Sequence, residues 1–283
     1  MPPIVFSDIG KAASDLIGKD FPVGSIKLES KTTASNGVNF TVAGNKDNKT
    51  GGIVGELKTK YADKSKGLTL TETWTTANVL SAEVELADAL AKGLKLTLHG
   101  ALLPHLGSKN AKFSTEYKQD QFATRSAIDL FKGPTATADF AFNRDGVLAG
   151  AETAYDLGSG LLLKYNLALG YATKEYAVAF HAANKLDTFA GSYYHRVNKD
   201  LEAGGRATWD RKSGANVTLE VAAKYALDSS AFVKAKIDNA GKLGLGYTQV
   251  LRQGVKVSAG GIFDTTRLAE NAHKVGLSIV LDA

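Results

Sequence analysis

The 283-residue chain contains no cysteine, which excludes a disulfide scaffold, a thiol nucleophile and a cysteine metal site. Its 44% hydrophobic content comes with 29 glycines, only 5 prolines and a single methionine, a balance that favours β-structure over helix. The net charge of +5 and pI near 9.1 are mildly basic, but the 34 Lys and Arg are scattered, which suits small anions better than nucleic acid.

Residues 4–19 carry the one helical pattern. Ile9, Ala12, Ala13, Leu16 and Ile17 recur at helical spacing, Ser7 or Asp8 can cap the first turn, and Gly18 suits the end. With Asp8, Lys11, Ser14, Asp15 and Lys19 off the apolar stripe, the predicted helix is amphipathic. Three placements fit it: on a membrane surface, inside a barrel, or over a sheet edge. No secretory signal is expected, since its basic and apolar regions are lacking, and Asp8, Asp15 and Asp20 argue against an Arg-rich transit peptide. No window approaches the roughly 18 apolar residues of a spanning helix, although a β-barrel crosses a bilayer with short alternating strands instead.

After Gly24 the pattern turns to period two. Breaks rich in Gly, Asn, Asp, Pro and Lys, from Asn36-Gly37 through Pro104–Lys109, Asp210–Gly214 and Arg252–Gly254 to Asp264–Asn271, divide the rest into about nineteen strands. Successive strand side chains point to opposite faces. Leu94, Leu96 and Leu98 therefore oppose Lys95, Thr97 and His99, and Val233, Ala235 and Ile237 oppose Lys234, Lys236 and Asp238. In Leu68–Thr75 the threonines share one face, and Leu68, Leu70, Glu72 and Trp74 share the other. So many strands exceed what an open twisted sheet sustains, and closure removes the edges. A barrel of this size has a wet lumen, so the apolar rows face outward, which only lipid tolerates. The predicted organisation is all-β, with a helix and hinge over 1–24 and one transmembrane barrel over 25–283.

These residues resemble the mitochondrial porins, the voltage-dependent anion channels, over essentially the whole chain. The likeness rests on Phe6-Ser7-Asp8-Ile9-Gly10-Lys11 with Asp15-Leu16, on Gly67–Trp74, on Leu90-Ala91-Lys92-Gly93-Leu94-Lys95, on Gly244-Leu245-Gly246-Tyr247, and on the ending His273–Ala283. That ending also fits the family's insertion signal, with polar Lys274, then Gly276, then Ile279 and Leu281. The resemblance implies an odd strand number closed by a parallel pair, with the helix folded into the pore. It further implies a voltage-gated, weakly anion-selective pore passing ATP, ADP and small metabolites across the mitochondrial outer membrane. By matched position, Lys11, Lys19 and Lys95 are implied in nucleotide passage and gating. Ser14 departs from the basic residue of some animal members, and Asp20-Phe21-Pro22 lacks their Gly-rich hinge. Implied partners are ATP, ADP and small anions, the bilayer, the import and barrel-assembly machinery, and a second copy of the chain. No cofactor, metal or nucleic acid is implied. The rival reading is the protein-import channel of the same membrane, which is expected to have a more acidic lumen and longer extensions. A soluble β-rich binding protein is the third.

Alternation nominates Lys27, Lys58, Lys95, Lys112, Arg125, Lys164, Arg206, Lys224, Lys234, Lys236, Lys256 and Lys274 as pore-lining cations, among acids such as Glu29, Glu56, Glu85, Glu116, Asp139, Glu202 and Glu220. Mixed signs predict a weak anion preference. Catalysis has no support: His99, His105, His181, His195 and His273 are dispersed, and no strand-to-helix turn presents a nucleophilic Ser. No helix follows Gly241, Gly244 and Gly246, so close strand packing explains them better than a phosphate loop. The sequons at Asn39, Asn48 and Asn216 are chance matches without a secretory route. Trp74, Trp209 and several Tyr suit interfacial girdles or ordinary strands equally well. Glu72 is the outlier, because a carboxylate facing hydrocarbon is costly in its charged form unless water, a partner or a headgroup reaches it.

Overall fold

The computed structural model describes residues 4–104, 107–131, 134–212, 214, 217–270 and 272–282. His105, Asn216 and parts of the breaks at 104–109, 132–134, 210–214 and 264–271 lie outside the described residues. A 3-10 turn, Phe6–Asp8, precedes helix α1 (Lys11–Gly18). The strands begin with β1 (Ser25–Thr33), β2 (Asn39–Asp47), β3 (Ile53–Asp63), β4 (Leu68–Thr75), β5 (Leu80–Ala87) and β6 (Leu94–Leu103). Next come β7 (Ser108–Lys118), β8 (Phe122–Asp129), β9 (Thr135–Arg144), β10 (Val147–Asp156), β11 (Leu161–Ala172), β12 (Tyr176–Ala183) and β13 (Thr188–Arg196). The last are β14 (Leu201–Asp210), β15 (Thr218–Ala226), β16 (Ala231–Asp238), β17 (Lys242–Arg252), β18 (Val255–Asp264) and β19 (Lys274–Asp282).

Each strand pairs antiparallel with its neighbour in sequence, and the sheet closes where β1 runs parallel to β19, Ile26 opposite Leu277 through Lys31 opposite Asp282. An odd number of antiparallel strands leaves its first and last members pointing the same way, so one parallel seam is unavoidable. The seam is stapled at its rim by the turn after β2. There the Asn48 side-chain amide donates to the Val275 carbonyl at 2.9 Å, and its backbone N–H donates to the Gly24 carbonyl. Asn48, a chance sequon by sequence, is thus a structural bridge.

The helix predicted over 4–19 is corrected in one respect. It is broken at Ile9-Gly10, where Gly10 takes the left-handed conformation at φ 74° and becomes the N-cap of α1, the place expected for Ser7 or Asp8. Asp8 instead accepts from the Val5 N–H within the 3-10 turn. The physical reason is room: a Cβ at Gly10 would lie 2.9 Å from the His181 ring and 3.2 Å from Ala179. The break lets both pieces lie flat on the wall. Phe6 and Ile9 pack on Leu148, Ala168 and Ala179, while Leu16 and Ile17 pack on Ala222 and Tyr194. Burying each such side chain contributes about 1.5–3 kcal/mol, enough to seat a short helix that would be marginal alone. Of the three placements, packing inside the barrel is the one found.

Candidate functional site: the pore and its helix

The register identifies the lumen face. Arg125 Nη2 donates to Ser7 Oγ inside the barrel at 3.3 Å, and Arg125 pairs across the sheet with Glu116, which pairs with Lys95, which pairs with Ala87. Alternation along β5 adds Glu85, opposite Thr69. Thr69, Thr71, Thr73 and Thr75 therefore face the pore, and Leu70 and the half-exposed Trp74 face lipid. Glu72 shares their outward face, with Thr59 and Ala82 as its cross-strand neighbours. Among the described residues none hydrogen-bonds or ion-pairs with Glu72.

Much of the charge in the lumen is paired. Arg125 meets Asp139 at 2.8 Å, Arg206 meets Glu220 at 2.6 Å, Lys164 meets Glu152 at 2.9 Å, Lys95 meets Glu85 at 3.2 Å and Lys224 meets Glu202 at 3.3 Å. The helix behaves likewise: Lys11 bonds Asp8 at 3.0 Å and Lys19 bonds Asp15 at 2.7 Å, while Lys11, Ser14 and Lys19 stay exposed to the pore. Burial works against ionisation of Asp8, but the Lys11 ammonium and the Val5 amide hold its carboxyl below the ordinary 3.8, and Asp8 in turn raises Lys11.

Strands β1–β3 differ. Lys27, Lys31, Lys58 and Lys60 line one recess of about 830 Å³ with only Glu29 and Glu56, four cations against two anions. Glu29 serves both Lys27 and Lys31, at 2.6 and 3.2 Å. Among the described residues Lys58, Lys60 and, on β7, Lys112 have no acidic partner. Lys112 faces the lumen opposite His99 on one side and Asp129 on the other. Lys31 and Lys60 are absent from the sequence-based candidates, although the same alternation that nominates Lys27 and Lys58 reaches them.

Lys234 and Lys236 occupy the lumen face, but the end of α1 covers them. Lys234 Nζ donates to the carbonyls of Lys19 at 2.7 Å and Asp15 at 3.2 Å, and Lys236 Nζ donates to the Ile17 carbonyl at 2.9 Å. These carbonyls lie at the negative end of the helix, where that of Asp15 also accepts the Lys19 N–H. With its side chain only 3% exposed, Lys234 is turned away from pore water. Lys274 and Gly276 also face inward, since residues 22–24 lie against them, while Ile279 and Leu281 on the alternate face point to lipid. Among the described residues no group of acids and histidines is placed to hold a metal ion.

The chain's relatives fit this geometry. The sequence model for the family described as "Eukaryotic porin" matches residues 2–276. The chain is 44% identical to the "Mitochondrial outer membrane protein porin" of Candida albicans over 280 residues, 99% of each chain. It is 43% identical to the protein of that name in Neurospora crassa, with 98% of each covered. With the "Voltage-dependent anion-selective channel" of Drosophila melanogaster it shares 39% identity over the full length of both.

Proposed function

This chain belongs to the eukaryotic porin family, and we propose that its barrel is a weakly anion-selective pore for ATP, ADP and other small metabolites. Members of the family are channels rather than enzymes, and the setting is the mitochondrial outer membrane, crossed by a voltage-gated β-barrel. The observation that carries the proposed selectivity is the wall of β1–β3, where four lysines face two glutamates across an open recess. An excess of two charges raises the local anion concentration only modestly, because physiological salt screens over about 8–10 Å.

In this reading Lys58, Lys60 and Lys112, exposed and without an acidic partner among the described residues, are free contacts for a passing phosphate. Lys11, Lys19, Lys95 and Lys224 serve more weakly, since each already has a carboxylate partner. Lys274, Gly276, Ile279 and Leu281 belong to the strand that closes the barrel on both its neighbours, the position at which assembly machinery would grasp it. Planar-bilayer recording tests the reading. A potassium chloride gradient should give a reversal potential of anionic sign in the open state, and large voltages of either sign should close the pore. Cation preference, or a conductance indifferent to voltage, would refute it.

A further inference from the structure

The segment joining α1 to β1 lacks flexible glycines at its centre, and the structure shows what holds it. Asp20 adopts φ 61°, a left-handed conformation costly outside glycine, and its carboxylate lies 3.8 Å from both Lys234 and Lys256. The Phe21 ring sits beneath two ammonium groups, 5.1 Å from Lys234 and 4.7 Å from Lys236. Pro22 has its φ fixed by its ring. Gly24 donates to the Val275 carbonyl at 3.0 Å and accepts from Asn48 at 2.9 Å.

The wall beneath is shaped to receive this segment. Lys234, Gly246, Gly260 and Gly276 stand directly opposite one another across β16, β17, β18 and β19. A Cβ at Gly246 would come 2.6 Å from the Asp20 carbonyl oxygen, at Gly260 3.0 Å from Pro22, and at Gly276 2.8 Å from Pro22 and Val23. Gly244 makes room for a lysine instead. A Cβ there would strike the Lys236 stem at 2.7 Å, so its absence lets Lys236 fold toward Ile17. The glycines of Gly244-Leu245-Gly246 thus seat one lysine and one stretch of connector.

We propose that Lys234 and Lys236, over the seat left by Gly244, Gly246, Gly260 and Gly276, lock the C-terminal end of α1 and residues 20–24 to the barrel wall. The two lysines are then positioning residues of the gate, and voltage-dependent closure proceeds with this end of the helix fixed. The inference rests on the channel reading above and deepens it. Three carbonyl oxygens, a carboxylate and an aromatic face meet the two ammonium groups, and Lys234 is sealed from pore water. Detaching this end therefore strands a buried charge and the carbonyls of Ile17 and Lys19 at once.

Bilayer recording on full-length variants tests it in two ways. A loosened end adds a second way to obstruct the pore, so Lys234→Gln should move the half-closing voltage toward zero. At a fixed voltage the closed-to-open ratio should rise by roughly tenfold, the factor carried by one charge-assisted hydrogen bond. Gly246→Ala should shift closure in the same sense without altering any charge, and it carries the test if the lysine variant fails to insert. Second, Asp20→Cys and Lys256→Cys can be joined by a short bifunctional thiol reagent, because the chain has no cysteine of its own. The tethered channel should still close as its untethered double variant does. Loss of closure on tethering, or wild-type half-closing voltages in Gly246→Ala, overturns the lock. A wild-type protein that never closes overturns the channel reading itself, so the two failures are distinguishable.

Discussion

Asn48 reaches across the barrel's one parallel seam to Val275, 227 residues further along the chain, and holds its carbonyl at 2.9 Å. Replacing Asn48 with alanine removes this hydrogen bond and leaves the backbone bond to Gly24 in place. The expected cost is about 1 kcal/mol. Amide exchange should quicken first in β1 and β19, with β10–β13 unaffected. Uniform quickening around the barrel would deny the seam any special dependence on Asn48.

Glu72 faces lipid with no partner among the described residues. Glu72→Gln keeps the shape and removes the carboxylate, so it should stabilise the barrel in a bilayer by roughly 1–2 kcal/mol. Open-state conductance should not change, since the side chain never meets pore water. Equal stability of the two proteins would mean that water or headgroups already solvate this carboxylate.

Charge reversal should separate free lumen lysines from paired ones. Lys112→Glu is expected to reduce the anion preference more than Lys11→Glu, although Lys11 sits on the helix. The Lys11 ammonium is already engaged by Asp8, whereas Lys112 has no acidic partner among the described residues. Reversal potentials in a salt gradient give the order, and a larger effect at Lys11 would contradict it.

Asp187 sets the prediction for acid. Lys212 and Arg211 hydrogen-bond its carboxylate, at 2.5 and 2.8 Å, and hold it below the ordinary 3.8. A lowered carboxyl contributes stability at pH values above 3.8, and that contribution fades as pH falls through its depressed value. The turn it holds is a strained one, with Asn184, Lys185 and Leu186 all at positive φ of 53°, 62° and 65°. Asp187→Asn should therefore free this turn at neutral pH, seen as faster exchange of the Arg211 N–H that donates to the Asp187 carbonyl. In the wild type the same loss should require pH below about 4. Exchange indifferent to both changes would show that the turn holds without the ion pairs.

The strand breaks are legible in the sequence because each needs residues whose backbone or side chain turns a chain, and the alternation between them fixes which face is wet. Closure follows from counting. What stays hidden is anything depending on which lumen residues the helix covers. Lys234 and Lys95 are equivalent by alternation, yet one lies beneath α1 and the other beside open water. The break at Gly10 is hidden for the same reason, since helical spacing across residues 9–13 is unaffected by a wall that forbids a side chain at position 10. Asn48 carries no local signal at all, because its partner is at the far end of the chain.

The pairing of Lys11 with Asp8 and Lys19 with Asp15 limits what α1 can do as a detector of the transmembrane field. Across residues 7–20, three aspartates against two lysines leave one net negative charge. Carried across an entire membrane at about 100 mV, one charge performs work of about 2.3 kcal/mol. A conductance that falls off with voltage more steeply than one elementary charge allows must draw its gating charge from the charged residues of the barrel wall as well.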